Sequence, residues 1–105
     1  MVTIQIDRLL SLCIERKAED LFLYAGQPPR AWIDGAMLDL SDQQLDAADV
    51  ETMIRTITPG SQLAALNQEG GTEFEFAFGD QARFAASIFQ HEGKMSLDLR
   101  LIFSR

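Results

Sequence analysis

The last third of the sequence carries apolar residues at every second position. Over residues 72–78, phenylalanine alternates with glutamate and alanine, so that the phenylalanines share one face of an extended segment. The same alternation returns over residues 83–89 and 94–102, after the turn-forming pairs Gly79-Asp80 and Glu92-Gly93. The pattern predicts three half-buried antiparallel strands, which need a covering layer on their apolar face.

The first forty residues predict a helix followed by three strands. Residues 4–17 place apolar side chains at spacings of three and four, which is typical of an amphipathic helix. Strands are predicted from three short apolar runs, at residues 20–24, 30–34 and 36–40. Gly26-Gln27-Pro28-Pro29 and Asp34-Gly35 predict the turns between them.

The middle of the chain predicts two helices. The first begins at Asp46 or Asp49 and continues to Ile57, and the second follows Thr58-Pro59 and ends near Asn67. The predicted order is helix, three strands, two helices, three strands. This order favours a single α+β domain for the whole chain, in which helices cover one face of an antiparallel sheet.

Composition bounds the location and the partners of the chain. Its 105 residues are 47% hydrophobic and 24% charged, which suits one domain with one core. No run approaches the ~18 apolar residues of a membrane span, and the N-terminus lacks a signal-peptide pattern, which predicts a cytoplasmic protein without membrane insertion. The net charge of −7 opposes nucleic-acid binding. The single cysteine, Cys13, is predicted to lie in the core.

The sequence has no signature of an independent enzyme. It has no phosphate-binding loop, no cysteine or histidine cluster and no nucleophile elbow, so we predict no catalytic residue, metal or cofactor in this chain. His91 is predicted to be a solvated surface residue. Five aspartates are predicted to form turns and caps rather than a cation site: Asp34, Asp39, Asp42, Asp46 and Asp49.

The final hairpin is predicted to bring two arginines together. Its apolar alternation is satisfied by pairing Phe84 with Leu99, Ala86 with Leu97 and Ile88 with Met95. This register places Arg83 directly opposite Arg100 on the solvent face. Like charges directly opposite each other destabilise a sheet by up to about 1 kcal/mol, so we expect a compensating interaction.

Two sources of compensation are open. Asp98 beside Arg100, and Glu75 on the neighbouring strand, can neutralise the arginines locally. Alternatively, the two guanidinium groups present forked donors to a phosphate or carboxylate that arrives from another chain or domain.

Short matches along most of the chain resemble the N-terminal, PAS-like domain of PilT/GspE-type ATPases, which serve type IV pili and type II secretion. In chain order these matches are Leu9-Leu10, Ala18-Glu19-Asp20-Leu21-Phe22-Leu23, Gly26-Gln27-Pro28-Pro29, Ile33-Asp34-Gly35, Glu73-Phe74-Glu75-Phe76, Arg83-Phe84-Ala85-Ala86-Ser87-Ile88-Phe89-Gln90, Gly93, and Arg100-Leu101-Ile102. The resemblance implies a non-catalytic assembly or regulatory domain of a hexameric motor. It also implies a RecA-like partner domain, in the same or a neighbouring subunit, that binds ATP and Mg²⁺.

The resemblance implies a role for the two arginines as well. Arg83 and Arg100 are expected to face the nucleotide phosphates held by the motor domain, which would be absent from this chain. The location implied is the cytoplasm, at the inner face of the membrane through a pilus or secretion machine. Ala85-Ala86 lacks the second arginine and the asparagine of the family pattern, and Phe22 stands where the family has histidine.

A second interpretation is a free-standing PAS-like module that binds a small ligand or a protein. The sequence stops at Ser104-Arg105, about where the family's linker to the motor domain would begin. The chain is therefore expected to be either a fragment of a longer ATPase or a standalone protein. A ligand cavity would have to be lined by aromatic residues that otherwise fill the core, namely Phe22, Tyr24, Trp32, Phe74, Phe76 and Phe78. In isolation we expect a monomer or weak dimer.

Overall fold

The computed structural model describes residues 5–80 and 82–103 of the chain. The elements, in chain order, are α1 (Ile6–Glu15), β1 (Asp20–Leu23), β2 (Arg30–Ile33), β3 (Ala36–Asp39), α2 (Ala47–Ile57), α3 (Gly60–Glu69), β4 (Gly71–Phe78), β5 (Ala82–His91) and β6 (Lys94–Phe103). The predicted order of helices and strands is therefore confirmed.

The strands form one six-stranded sheet in the order β3-β2-β1-β6-β5-β4, and every neighbouring pair is antiparallel. Two meanders, β1 to β3 and β4 to β6, are joined because the first strand pairs with the last, with Asp20 opposite Arg100 and Leu23 opposite Leu97. The fold is a mixed α+β arrangement consistent with the predicted PAS-like architecture.

The helices cover one face of the sheet, as predicted. Along β5 and β6, buried residues alternate with residues that point away from the helices. The largest fully buried side chains come from both layers and include Leu9 and Leu10 of α1, Ile54 of α2, Leu66 of α3, and Phe84, Leu97 and Leu99 of the sheet. Burial of this apolar surface is the main source of stability.

Local backbone geometry sets the ends of two helices. The first ends at Glu15, two residues before its predicted end, because Lys17 has a left-handed φ of 55° and the Ala18 amide donates to the Cys13 carbonyl. The predicted start of this helix at residue 4 lies outside the described residues. At the start of α2, Asp46 and Asp49 accept each other's backbone amides in a capping box.

The predicted register of the last hairpin is wrong by two residues. Phe84 pairs with Leu101, Ala86 with Leu99 and Ile88 with Leu97, and Arg83 therefore lies opposite Ile102 rather than Arg100. The cause is the turn: Glu92 and Gly93 both have positive φ, 53° and 78°, as a two-residue type I′ turn requires. The strands thus continue to the pair His91–Lys94 instead of ending in a longer loop.

The six aromatic residues considered for a ligand cavity lie on opposite faces of the sheet. Phe74, Phe76 and Phe78 pack against the core on the helix side, with the rings of Phe76 and Phe84 stacked 5.5 Å apart. Phe22 and Trp32, in contrast, occupy alternate positions to the buried Leu21, Leu23, Ala31 and Ile33 and point the other way. The aromatic residues on the two faces therefore cannot line one cavity together.

Other predicted features have clear positions. Cys13 is buried, and burial raises the pKa of its thiol to about 12. His91 is an exposed residue at the end of β5, beside Glu92. Within residues 5–80 and 82–103, no helix is long and apolar enough to cross a membrane. No group of three potential ligands is placed to hold a metal ion in that part of the chain.

Candidate functional site

The candidate site lies on the outer face of the sheet, which we define as the side chains that point away from the three helices. Strand pairing arranges these side chains in rows that cross the sheet from β3 to β4. One row contains Met37, Trp32, Asp20, Arg100, Ala85 and Glu75. The next contains Asp39, Arg30, Phe22, Asp98, Ser87 and Glu73.

Arg83 and Arg100 both lie on the outer face, as predicted, but they are diagonal neighbours rather than direct partners. Arg83 is opposite Ile102, two residues beyond Arg100 on the same strand. Diagonal neighbours in an antiparallel pair are about 7–8 Å apart, which long side chains can span. The two guanidinium groups are well exposed, with 53% and 76% of the side-chain surface accessible.

Each arginine is paired with a carboxylate on the same face. The Nε of Arg83 lies 3.6 Å from Oε1 of Glu75, the diagonal partner predicted from the sequence. The Nε of Arg100 lies 3.7 Å from Oδ1 of Asp20, its direct partner on β1. Asp20, and not the predicted Asp98, therefore neutralises Arg100. Ion pairs this exposed contribute about 0–1 kcal/mol, so either arginine can exchange its partner at little cost.

Asp98 instead accepts a hydrogen bond from the hydroxyl of Tyr24, with an oxygen–oxygen distance of 2.6 Å. This hydrogen bond links the residue that follows β1 to the neighbouring strand β6. Partial burial raises the pKa of Tyr24 to about 12, and the hydrogen bond to Asp98 and the charge of that carboxylate act in the same direction.

We expect the Tyr24–Asp98 contact to stabilise the chain only while the tyrosine keeps its proton. The folded-state pKa is above the ordinary value of 10, so this stabilisation is complete below pH 10 and is lost as the pH rises toward 12. Replacing Tyr24 with phenylalanine should cost about 1 kcal/mol at pH 8. Urea unfolding of both proteins from pH 8 to pH 12 measures the difference, which should shrink above pH 10. A difference that is constant with pH would contradict this assignment.

A groove runs along β5 on the outer face because its floor is made of small side chains. Ala85 and Ser87 lie between the larger side chains of β6 and β4, and the resulting concavity has a volume of about 460 Å³. The groove is lined by Asp20, Phe22, Glu73, Ala85, Ser87, Asp98 and Arg100. Sequence reasoning missed this groove, although Ala85 and Ser87 alternate on the same face as Arg83.

Known protein structures include close matches to this fold, whereas no protein-family model and no curated protein sequence matches the chain. The pilus retraction motor PilT with bound ADP is 28% identical, with a TM-score of 0.83 over 92% of this chain. The ATPase DotB of Legionella pneumophila is 19% identical, with a TM-score of 0.80 over 97% of the chain. DotB of Yersinia pseudotuberculosis is 18% identical, with a TM-score of 0.68 over 92% of the chain.

These comparisons confirm the resemblance inferred from the sequence: the structural neighbours of the chain are PilT and DotB ATPases. The DotB matches, at their low identity, show the shared fold. The chain spans 29% of the PilT chain and 31% of the Legionella DotB chain, so it corresponds to one part of each ATPase.

Proposed function

We propose that this chain is the non-catalytic N-terminal assembly domain of a hexameric pilus or secretion ATPase, and that it packs against a RecA-like motor domain. The observation that carries the proposal is the match to PilT, at 28% identity and a TM-score of 0.83 over nearly the whole chain. The chain accounts for less than a third of that protein. In the proposed motor, ATP and Mg²⁺ are bound by a RecA-like domain outside this chain. The motor would work in the cytoplasm, at a pilus or secretion machine in the membrane.

In the proposed assembly, Arg83 and Arg100 contact nucleotide phosphates held by the motor domain of the same or a neighbouring subunit. Both guanidinium groups are exposed on the open face of the sheet, and both have weak carboxylate partners. A triphosphate offers a stronger, charge-assisted partner than an exposed carboxylate. Arginines placed in this way stabilise the charge of the transferring phosphoryl group.

Charge reversal tests this role. We expect Arg83→Glu and Arg100→Glu to lower the rate of ATP turnover roughly tenfold or more in the hexameric ATPase that contains this domain, because a carboxylate repels the phosphates. Turnover is measured under saturating ATP with the purified hexamer. The matched control is Arg55→Glu, which reverses a similarly exposed arginine on α2, away from the outer face.

The measurement separates a catalytic contribution from a folding defect. Thermal melts of the 105-residue chain should show that all three variants remain folded, because the substituted side chains are exposed. Full ATP turnover in both Arg83→Glu and Arg100→Glu would remove these arginines from the nucleotide site.

The assembly role itself is tested by the reading frame: a phosphate-binding loop encoded downstream of Arg105 is expected, and a stop codon there would refute the role as a domain of one polypeptide.

A further inference from the structure

We propose that the groove over Ala85 and Ser87 receives the side chain of an arginine presented by a partner protein. The groove is concave, and its floor consists of two small side chains in neighbouring rows of the outer face. Its volume of about 460 Å³ admits one long side chain together with water. Arg100 lines this groove and also belongs to the proposed nucleotide contact, but binding in the groove can be tested on this chain alone.

The charge of the groove favours a cation. Three carboxylates and one guanidinium line it, and Asp20 already pairs with Arg100 at 3.7 Å. The two carboxylates that remain are Asp98 and Glu73. Among the described residues, each has a neutral hydroxyl as its partner: Asp98 accepts from Tyr24 at 2.6 Å, and Glu73 accepts from Ser87 at 3.2 Å. Two negative charges are thus left without a cation on the rim of one concavity.

The positions of these carboxylates suit a forked donor. Asp98, Ser87 and Glu73 stand in one row on the adjacent strands β6, β5 and β4, so the two carboxylates flank the floor from opposite sides. Strands are about 4.8 Å apart, which separates the two backbones by roughly 10 Å. Glu73 already leans over β5 toward Ser87. A planar guanidinium that enters above Ser87 can donate to both walls, which a compact ammonium group cannot do as well.

The wall on the β1 side can hold the rest of the arginine. Phe22 is the direct partner of Asp98 on β1 and also lines the groove. Its half-buried ring offers an apolar surface to the aliphatic stem of the incoming side chain. The face of the ring also attracts a cation. Charge, shape and apolar contact therefore agree on one occupant.

Titration of the isotopically labelled 105-residue chain with a short neutral-capped peptide containing a single arginine tests the proposal. Amide shifts are expected in Phe22, Ala85, Ser87 and Asp98, with a dissociation constant on the order of millimolar for one side chain. The double variant Asp98→Asn/Glu73→Gln should weaken binding roughly tenfold, since it removes both charge-assisted acceptors. The control Asp42→Asn/Glu69→Gln makes the same change in net charge at exposed positions outside the groove and should bind like the unmodified chain.

Four results would overturn the proposal. They are the absence of shifts in the groove, equal weakening in the control variant, equal affinity for a matched lysine peptide, and shifts of the same amides on addition of inorganic phosphate alone. The last result would make the groove an anion site next to Arg100. None of these results bears on ATP turnover by Arg83→Glu, so failure here and failure of the proposed motor role can be told apart.

Discussion

Replacing Phe84 with alanine is expected to lower the free energy of unfolding by about 3–5 kcal/mol. Phe84 is only 1% exposed, its ring stacks on Phe76 at 5.5 Å, and it meets Phe78 edge to face at 6.3 Å. Truncation would remove these contacts and leave a cavity where β4 and β5 pack on the core. A domain of this size is typically stable by about 5–15 kcal/mol, so the variant should be partly unfolded at 37 °C.

Phe89 provides the matched control on the same strand. It lies on the outer face, is 52% exposed and pairs with Gly71 on β4. Phe89→Ala should cost less than about 1 kcal/mol because no buried cavity forms. Urea unfolding followed by circular dichroism measures both variants. Similar losses at the two positions would mean that the core does not lie on the helix side of β5.

The second large effect is expected at Leu66. Every residue of α3 is described, and Leu66 alone among them is buried, with no exposed surface. Leu66→Ala should cost about 2–5 kcal/mol and release most of the apolar contact that holds this helix on β4 and β5. Unfolding in urea measures the cost, and amide hydrogen exchange should show faster exchange in α3 than in α2.

Leu63 is the internal comparison for α3. It lies one turn earlier and is only half-buried, so Leu63→Ala should cost clearly less than Leu66→Ala. If the two substitutions cost the same, the attachment of α3 would be spread over its surface rather than concentrated at one residue. Equal exchange rates in α2 and α3 of Leu66→Ala would lead to the same conclusion.

The sequence predicts the element order because each element has a strong local signal. Alternating phenylalanines specify β4, and apolar spacing with paired aspartates specifies the start of α2. The ends of the helices are predicted less accurately than the order of the elements, because they depend on single backbone angles. Lys17 adopts a left-handed conformation that usually belongs to glycine, and its side chain gives no sign of this.

The register of the last hairpin shows a limit of apolar patterning. A slip of two residues leaves the same side chains facing the core, so alternation decides the face of Arg83 and Arg100 but cannot decide their partners. The turn decides them. Glu92-Gly93 is a less typical type I′ pair than Asn-Gly, and a longer loop satisfied the same pattern.

The groove was not predictable because it depends on a pairing between distant parts of the chain. Asp20 and Phe22 reach β6 only because β1 lies beside it in the sheet. Both lie in β1, which has only four residues. The sequence alternation of this segment allows either Leu21 and Leu23 or Phe22 and Tyr24 to face the core. Local pattern cannot choose between two apolar faces of so short a segment.

The pairing of the first strand with the last also has a consequence for biosynthesis. Residues 20–23 have their β6 partners 74 to 80 residues later in the sequence, so a nascent chain cannot complete its sheet until β6 has left the ribosome. Until then, the edge of β1 that β6 will cover remains open to other strands. Before β6 is made, this unpaired edge of β1 is therefore the part of the sheet at which pairing with another nascent chain, and so aggregation, is most favoured.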